Sequence, residues 1–387
     1  MADVVVSFTS YPERILTIDR VLESVINQTV LPDKIILYLS LCEFENFNEI
    51  PNLKKYEKYG FEIHWCDENL RSHKKWFYAL QEYPDDLIIT IDDDILYNSR
   101  AFENLLNYHK IYPNAVIARR THLITCNSDE SIAPYNDWYS ECSLYVGIPR
   151  MDLFATTGAG ALLPPHIFKK EIFNKDVFMK ICPYADDIWL KVMETYNGVP
   201  VVLAEKSWDD YCLLEYKKNS LYENYNRRGG NDKQLKELLE QYKETRDGIR
   251  LEDCIFSQNP VFLSDVKKIK REEMKKVVDE LLVQICLNEK ILVYGAGKLG
   301  RQIYKLLRYN NIIEAFIVQS VTENPNFIDD IPVNNYKDYI QSDKKIIIAL
   351  LDMWEAKKVY ECLVTEGTNR DRFIFLSQLE KKALVEL

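Results

Sequence analysis

The first 120 residues alternate between short apolar runs and amphipathic segments. Residues 4–6 are a β-branched run that ends at a turn-prone Thr-Ser-Tyr-Pro sequence, and apolar positions across residues 15–25 recur at helical spacing. Residues 34–39, 61–65 and 86–91 are further strand candidates, and the last is almost wholly apolar, as in a strand covered on both faces. Alternation of this kind predicts an α/β layered fold.

A second α/β unit follows a break near residue 255. Asn259-Pro260 marks the break, and apolar positions across residues 266–285 then predict one helix that packs between two domains. At about 150 residues per domain, a chain of this length holds two. We therefore expect a first domain at 1–255, a linker helix at 256–288 and a smaller domain at 289–387.

Composition narrows the class of protein. The chain has 387 residues, 47% of them hydrophobic, and a formal net charge of -11, so a nucleic-acid partner is not expected. The nine cysteines show no CxxC or zinc spacing, and neither a secretory leader nor a long apolar membrane segment is visible. These features predict a cytoplasmic location.

The strongest chemical signal is the triplet Asp92-Asp93-Asp94, directly after the apolar strand at 86–91. Three adjacent carboxylates repel one another, and they tolerate the end of a buried strand best when a cation or hydrogen-bond donors neutralise them. In an open α/β sheet, ligands bind beyond the carboxyl ends of the strands. The triplet predicts a metal site; the alternative is a solvated turn in which Asp93 or Asp94 caps the next element.

An Asp-x-Asp sequence after a buried strand resembles glycosyltransferases of the GT-A fold, and the resemblance spans roughly residues 1 to 250. It implies that Asp94 is the direct ligand of Mn²⁺ or Mg²⁺. Asp92 would lie near the metal and the ribose of a nucleotide-sugar donor, with Asp93 between them. The fold expected is therefore a GT-A sheet followed by a smaller Rossmann-like α/β domain.

The same resemblance implies further donor contacts. The turn from Thr9 to Arg14 would bind the base, and Asp67 would accept from the N–H of uracil. Positive charge at the start of a helix suits a diphosphate, which points to Arg71, Lys74 and Lys75. The alternative for the two lysines is a solvated helix face.

A second constellation combines small residues with a carboxylate pair. The resemblance implies that Gly158 and Gly160 line the donor sugar, and glycine does let a backbone approach a ligand closely. Asp186-Asp187 opens a predicted helix, and the resemblance implies that Asp187 is the catalytic base and Asp186 an acceptor or capping group. Simple capping by Asp186 is the alternative.

Two features concern the end of the first domain. Arg227 lies in a glycine-hinged segment at 222–232 that could close on the diphosphate. Many GT-A enzymes take a third metal ligand, often His, from this region, but none of the five His lies there.

Together these features predict a metal-dependent, inverting glycosyltransferase that uses a UDP-sugar. The pattern resembles transferases of bacterial capsule and lipopolysaccharide gene clusters, which implies a glycan or lipid-linked glycan acceptor. A lipid-linked acceptor would bring the protein to the inner face of the cytoplasmic membrane. The alternatives are a sugar nucleotidyltransferase or a non-catalytic nucleotide-sugar-binding protein, and homo-oligomerisation stays open.

The second domain carries a separate motif. A strand runs into Gly295-x-Gly297-x-x-Gly300 and then a helix, which is the context of a dinucleotide fingerprint. Gln319 and Ser320 occupy the place where NAD sites carry an acidic residue, so NAD is not expected. We expect a structural, oligomerising or regulatory unit that binds a nucleotide or sugar phosphate.

Overall fold

A computed structural model describes residues 2–44, 50–205, 211–212, 229–287 and 290–386. The chain divides into two compact units, residues 1–266 and residues 267–387. The predicted α/β fold is confirmed, since strands and helices alternate in each unit. No helix among the described residues is both long enough and apolar enough to cross a lipid bilayer.

The first unit is built on a mixed β-sheet. Its described strands are β1 (Val4–Thr9), β2 (Lys34–Ser40), β3 (Phe61–Cys66), β4 (Leu87–Thr90), β5 (Ile95–Leu96), β6 (Val116–Ala118), β7 (Thr121–Leu123), β8 (Leu153–Ala155), β9 (Ala161–Leu163), β10 (Val201–Leu203) and β11 (Tyr211–Cys212). Seven of them form one sheet in the order β10-β6-β9-β4-β1-β2-β3. Short two-stranded ribbons pair β11 with β5 and β7 with β8.

Helices cover this sheet. They are α1 (Ile18–Ile26), α2 (Lys74–Glu82), α3 (Ala101–Ile111), α4 (Lys175–Ile181), α5 (Asp186–Tyr196), α6 (Gly230–Tyr242) and α7 (Leu251–Ile255). Val5 and Val6 of β1 are both 0% exposed, which is why the central strands read as continuous apolar runs. One core cluster joins Val6, Leu22 and Phe102 from β1, α1 and α3.

The strand order places a crevice beside β1. From β1 the chain moves outward through β2 and β3, and it returns to β4 on the other side of β1. Strands β1 and β4 are parallel, so the segments that follow them leave the sheet side by side. This reversal of strand order is where open α/β sheets bind ligands.

An antiparallel strand adds another segment to that crevice. Strand β9 runs antiparallel to both β4 and β6, with Ala161 opposite Thr90 and Ala118. The start of β9 therefore lies at the sheet edge where β4 and β6 end. Residues 157–160 consequently meet the segments that follow those two strands.

The second unit has its own sheet and core. Its described strands are β12 (Ile291–Tyr294), β13 (Ile313–Val318), β14 (Phe327–Ile328), β15 (Ile331–Asn335), β16 (Lys345–Ile348) and β17 (Phe373–Ile374), in the order β14-β15-β13-β12-β16-β17. Only the β14–β15 pair is antiparallel in this described sheet. Helices α9 (Lys298–Leu307), α10 (Met353–Thr365) and α11 (Gln378–Glu386) belong to this unit.

Helix α8 (Leu263–Cys286) spans the boundary between the two units. The sequence predicted a linker helix over 256–288. The apolar stripe that includes Met274, Val278 and Ile285 belongs to the same core cluster as Val293 and Phe316 of the second sheet. Most of α8 is thus part of the second unit's core.

Candidate functional site

Chemically active side chains from five segments meet at the crevice beside β1. They are the turn after β1, the start of α2, the Asp triplet after β4, the segment before β9 and the start of α5. Contacts at this crevice connect eight of the predicted site residues, namely Arg14, Lys75, the three Asp of the triplet, Gly158 and the pair Asp186-Asp187.

Asp93 connects the turn after β1 to the triplet. Its carboxylate accepts hydrogen bonds from Ser10 Oγ at 2.6 Å and from Arg14 at 2.8 Å, and the residue is only 5% exposed. The Arg14 guanidinium also lies 2.9 Å from the Asp94 carboxylate. Burial alone would lower the pKa of Arg14, but Asp93 and Asp94 outweigh it and raise the pKa. Asp93 therefore faces the protein interior, whereas Asp92 and Asp94 stay partly exposed.

Asp92 and Asp94 form a pair of carboxylates that crowd each other. Burial, and then the neighbouring Asp92 charge, raise the pKa of Asp94 to about 6. Carboxylate oxygens are the ligands that Mg²⁺ and Mn²⁺ prefer, and a cation would relieve this repulsion. The two residues therefore fit a metal ion. They form only a partial ligand set, because no group of three or more metal-binding side chains occurs in the part of the chain that the structure describes.

Asp92 is held on several sides. Its Oδ1 accepts from Lys75 Nζ at 2.8 Å, and its backbone N–H donates to the Tyr97 hydroxyl at 2.8 Å. The same hydroxyl donates to the Gly158 carbonyl at 2.5 Å. A Cβ at Gly158 would collide with the Asp92 carboxylate, so only glycine lets the two segments approach this closely.

Lys75 also reaches the carboxylate pair at the start of α5. Its ammonium lies 3.3 Å from Asp186 Oδ2, and its side chain is 4% exposed. Burial alone would lower the pKa of Lys75, but Asp186, Asp92 and Asp187 outweigh it and raise the pKa. Burial alone would raise the pKa of Asp186, and Lys75 followed by His73 brings it below the usual range.

Asp187 is oriented by Thr157. Its Oδ1 accepts from the Thr157 backbone N–H at 3.0 Å and from the Thr157 hydroxyl at 2.5 Å. Burial, and then the Asp186 charge, raise the pKa of Asp187 to about 6. Ala185 takes the N-cap position of α5, so Asp186 does not serve as the cap. Asp187 is thus an oriented carboxylate that changes charge close to neutral pH.

Several predicted donor contacts have other partners in the structure. Lys74, which was predicted to contact the diphosphate with a solvated helix face as the alternative, donates from Nζ to Glu43 at 2.6 Å, and its side chain is 2% exposed, so it does not lie on a solvated face. The Thr9 hydroxyl donates to the Tyr38 carbonyl at 2.8 Å. The Arg71 guanidinium lies 4.0 Å from the centre of the Tyr184 ring. Asp67 is exposed just after β3.

The remaining predicted site residues of the first unit are Gly160 and Arg227. Gly160 has φ of +103° and packs against Arg119, where a Cβ would lie 3.1 Å from the arginine Cδ. Its conformation and its close packing therefore both favour glycine. Arg227 lies outside the described residues.

The predictions from sequence gave no role to Tyr97 or Thr157, and they included Ser10 only as part of the turn from Thr9 to Arg14. The Ser10 and Thr157 hydroxyls donate to the carboxylates of Asp93 and Asp187, whereas the Tyr97 hydroxyl accepts from the Asp92 backbone N–H. A single hydroxyl residue in a loop carries no spacing signal, so only the three-dimensional contacts reveal them. His73 is a similar case: it is fully buried beside Asp186, and burial lowers its pKa to about 4.

The glycine motif of the second unit lies at the reversal of its own strand order, where β12 is flanked by β13 and β16. Gly295 has φ of +109°, and a Cβ there would lie 3.0 Å from the Ala349 carbonyl oxygen. A Cβ at Gly300 would collide with the Gly295 carbonyl, whereas Gly297 has nothing within 4 Å of its Cβ position. Gly295 and Gly300 are thus required by packing, and Gly297 leaves space at the start of α9.

Comparisons with known proteins give distant matches only. No family model matches the chain, and no curated protein matches it. Similar solved structures include S. aureus TarS 1–349, at 10% identity over 55% of this chain and 60% of that one, with a TM-score of 0.33. A second structure of S. aureus TarS matches at 13% identity over 72% of this chain and 48% of that one, with a TM-score of 0.39.

A third similar structure is the mannosyltransferase PcManGT from Pyrobaculum calidifontis in complex with GDP-Man and Mn²⁺. It matches at 14% identity over 52% of this chain and 55% of that one, with a TM-score of 0.33. The chain thus spans between 48% and 60% of the length of these three solved chains.

Proposed function

We propose that the first unit is a metal-dependent glycosyltransferase that moves a sugar from a UDP-sugar to a hydroxyl of a bacterial surface glycan or its lipid-linked precursor. The observation that carries the proposal is the pairing of two carboxylate sets at one crevice. Asp92 and Asp94 follow β4, Asp187 lies in the first turn of α5, and the Lys75 ammonium lies between Asp92 and Asp186. One set suits a cation and a diphosphate, and the other suits an acceptor hydroxyl.

The donor side is assigned to Asp92 and Asp94. They would hold Mn²⁺ or Mg²⁺, which when bound stabilises the negative charge that develops on a leaving nucleoside diphosphate. Arg14, fixed by Asp93 and Asp94, places a permanent positive charge beside them. Asp67 after β3 and the turn from Thr9 to Arg14 are assigned to the nucleoside.

The acceptor side is assigned to Asp187. Thr157 binds one of its carboxylate oxygens and orients the group. Asp187 takes the proton of the acceptor hydroxyl while that oxygen forms a bond to the anomeric carbon. The bond from the anomeric carbon to the phosphate oxygen breaks, and its electron pair leaves with the nucleoside diphosphate. A single displacement of this kind inverts the anomeric configuration.

The second unit receives a separate assignment. We propose a Rossmann-like structural, oligomerising or regulatory role with a nucleotide or sugar phosphate as its ligand. The open space above Gly297 at the start of α9 supports this assignment.

The test begins with binding. Wild-type protein is melted with UDP, GDP, CDP or NAD, each with and without Mn²⁺, because a ligand that binds the folded state raises Tm. We expect a shift with UDP that depends on Mn²⁺ and disappears in Asp94→Ala, while Asp94→Ala keeps the wild-type circular dichroism spectrum. A shift with NAD alone, or one that survives in Asp94→Ala, would contradict the proposed donor site.

The chemistry is tested with UDP-sugars. We expect the wild-type protein to release UDP in the presence of Mn²⁺ and to transfer the sugar with inversion, read from the anomeric proton coupling of the product. Retention of configuration would refute the role given to Asp187.

A further inference from the structure

Lys75 connects two carboxylates that lie far apart in the chain. Its ammonium is 2.8 Å from Asp92 Oδ1, just after β4, and 3.3 Å from Asp186 Oδ2, the first residue of α5. The backbone at Lys75 is anchored as well, since its carbonyl accepts from the Ser7 hydroxyl of β1. One residue thus touches the central strand, the donor side and the acceptor side of the crevice.

The burial of Lys75 separates it from a simple diphosphate ligand. Its side chain is 4% exposed, against 40% for Asp92. A buried ammonium is stable only when it is paired, and this one is paired with carboxylates on two elements. Without the Lys75 ammonium, the carboxylates of Asp92, Asp186 and Asp187 would repel one another at one site, and the positive charge that now offsets them would be missing.

We propose that Lys75 is a positioning residue that ties the donor-binding carboxylate Asp92 to the pair Asp186-Asp187. The inference rests on the proposed function. The tie fixes the start of α5 relative to the end of β4, and with it the distance from the base Asp187 to the donor. Loss of the tie lets the two sides separate, and a displacement of about 1 Å costs on the order of a hundredfold in rate.

The kinetic test compares Lys75→Met with Lys191→Met. Lys191 is a matched control because its side chain is 2% exposed, and it contacts the Leu153 carbonyl at 2.8 Å and Glu194 at 3.4 Å. Both variants lose one buried ammonium, but only Lys75 touches the site carboxylates. We expect Lys75→Met to lose about a hundredfold more kcat than Lys191→Met, with a smaller change in KM for the donor. Equal losses of kcat would overturn the inference.

A second readout needs no activity. Lys75→Met should lower Tm, and adding either Asp92→Asn or Asp186→Asn should recover part of the loss, because each removes one of the carboxylates left without a partner. Rescue by both substitutions supports a tie, and rescue by only one, or by neither, refutes it. If Lys75→Met alone does not fold, recovery of folding in the two double variants gives the same answer.

The two readouts distinguish the possible failures. A wild-type protein that neither releases UDP nor transfers sugar contradicts the proposed function, while the Tm comparison still decides whether Lys75 joins the two carboxylates. An active wild type with equal losses in Lys75→Met and Lys191→Met contradicts the tie alone.

Discussion

Asp94 and Asp187 are two carboxyl groups whose pKa values are both raised to about 6. In each case burial is the main cause, but Asp92 adds to it at Asp94 and Asp186 adds to it at Asp187. Each therefore changes charge close to neutral pH. The proposed mechanism needs Asp187 ionised, because only the carboxylate accepts a proton.

The first prediction concerns the charge of Asp187. We expect kcat/KM to rise with pH through about 6 as Asp187 loses its proton. Asp187→Asn should remove the part of this limb that Asp187 contributes, leaving the part that Asp94 contributes, and should lower kcat by roughly 10²- to 10⁴-fold, the usual contribution of a general base. Steady-state kinetics from pH 5 to 8 measure both effects.

The matched control is Asp176→Asn, an exposed acidic residue in the first turn of α4. It removes the same charge from a helix start without touching the crevice. A similar loss of kcat in the two variants would remove the argument for Asp187 as the base.

The second prediction concerns Gly158. Gly158→Ala places a methyl group against the Asp92 carboxylate, so we expect a loss of about 1–3 kcal/mol in the free energy of unfolding and weaker Mn²⁺-dependent binding of UDP. The Asp92→Ala background removes the obstructing carboxylate, and there the same substitution should cost little. Chemical denaturation of the four proteins measures the energetic coupling between the two substitutions. An equal loss of unfolding free energy in both backgrounds would mean that the new methyl group clashes with something other than the Asp92 carboxylate.

Single residues show where prediction from the sequence stops. The sequence indicated the Asp triplet and Asp186-Asp187 because adjacent carboxylates at element ends are unusual. It treated Lys74 and Lys75 alike, but the structure pairs one with Glu43 and the other with Asp92 and Asp186. The difference depends on the orientation of α2 against the sheet, which side-chain type does not encode.

Tyr97, just after β5, joins the Asp triplet after β4 to the segment before β9. Its hydroxyl accepts from the Asp92 N–H and donates to the Gly158 carbonyl. One phenol thus fixes two segments that are more than 60 residues apart in sequence. This bridge keeps the Asp92 carboxylate in contact with Gly158.

The third prediction tests that bridge. Tyr97→Phe leaves two backbone groups without their partner, which costs about 1–3 kcal/mol in the free energy of unfolding. We also expect a loss of kcat, since Asp92 moves. The control is Tyr112→Phe, which removes a hydroxyl that donates to the Gly147 carbonyl at 2.8 Å away from the crevice.

Tyr112→Phe should lose stability without losing kcat. Urea unfolding and kinetics on both variants separate the two effects. Wild-type kcat in Tyr97→Phe would mean that the bridge contributes only to stability.

Elements differ in how well the sequence predicted them. The strands at 34–39 and 86–91 were predicted because apolar runs of this length rarely serve another purpose, and the structure gives Lys34–Ser40 and Leu87–Thr90. Strand β9 has only three residues, Ala161–Leu163, and lies antiparallel between β4 and β6. A run this short has no periodicity, and strand direction is set by partners far away in the chain.

For the whole molecule, the two units carry different glycine requirements. The first needs glycine at Gly158 to admit a carboxylate, and the second needs it at Gly300 to let α9 approach the turn after β12. A glycine pattern alone does not distinguish close packing from ligand binding. The sequence therefore indicated a fingerprint in the second unit without indicating which of its glycines packs against protein.

The fourth prediction concerns Gly300. Gly300→Ala brings a methyl group onto the Gly295 carbonyl and within 3.3 Å of the Phe316 ring. We expect a cost of about 1–3 kcal/mol, seen as roughly ten- to hundredfold faster amide hydrogen exchange in β12 and β13. Gly297→Ala, whose Cβ position has nothing within 4 Å, should change exchange much less. Equal exchange in the two variants would contradict the packing role of Gly300.

The different partners of Lys74 and Lys75 also constrain the length of the chain between β3 and α2. Successive residues of an α-helix are rotated by about 100°. Deleting one residue from the connection at 67–73 would therefore turn a different side chain toward Asp92 and Asp186, even if α2 itself stayed intact. Substitutions in this connection that keep its residue count leave Lys75 facing the crevice and can be tolerated. An insertion or a deletion would turn Lys75 away from the crevice.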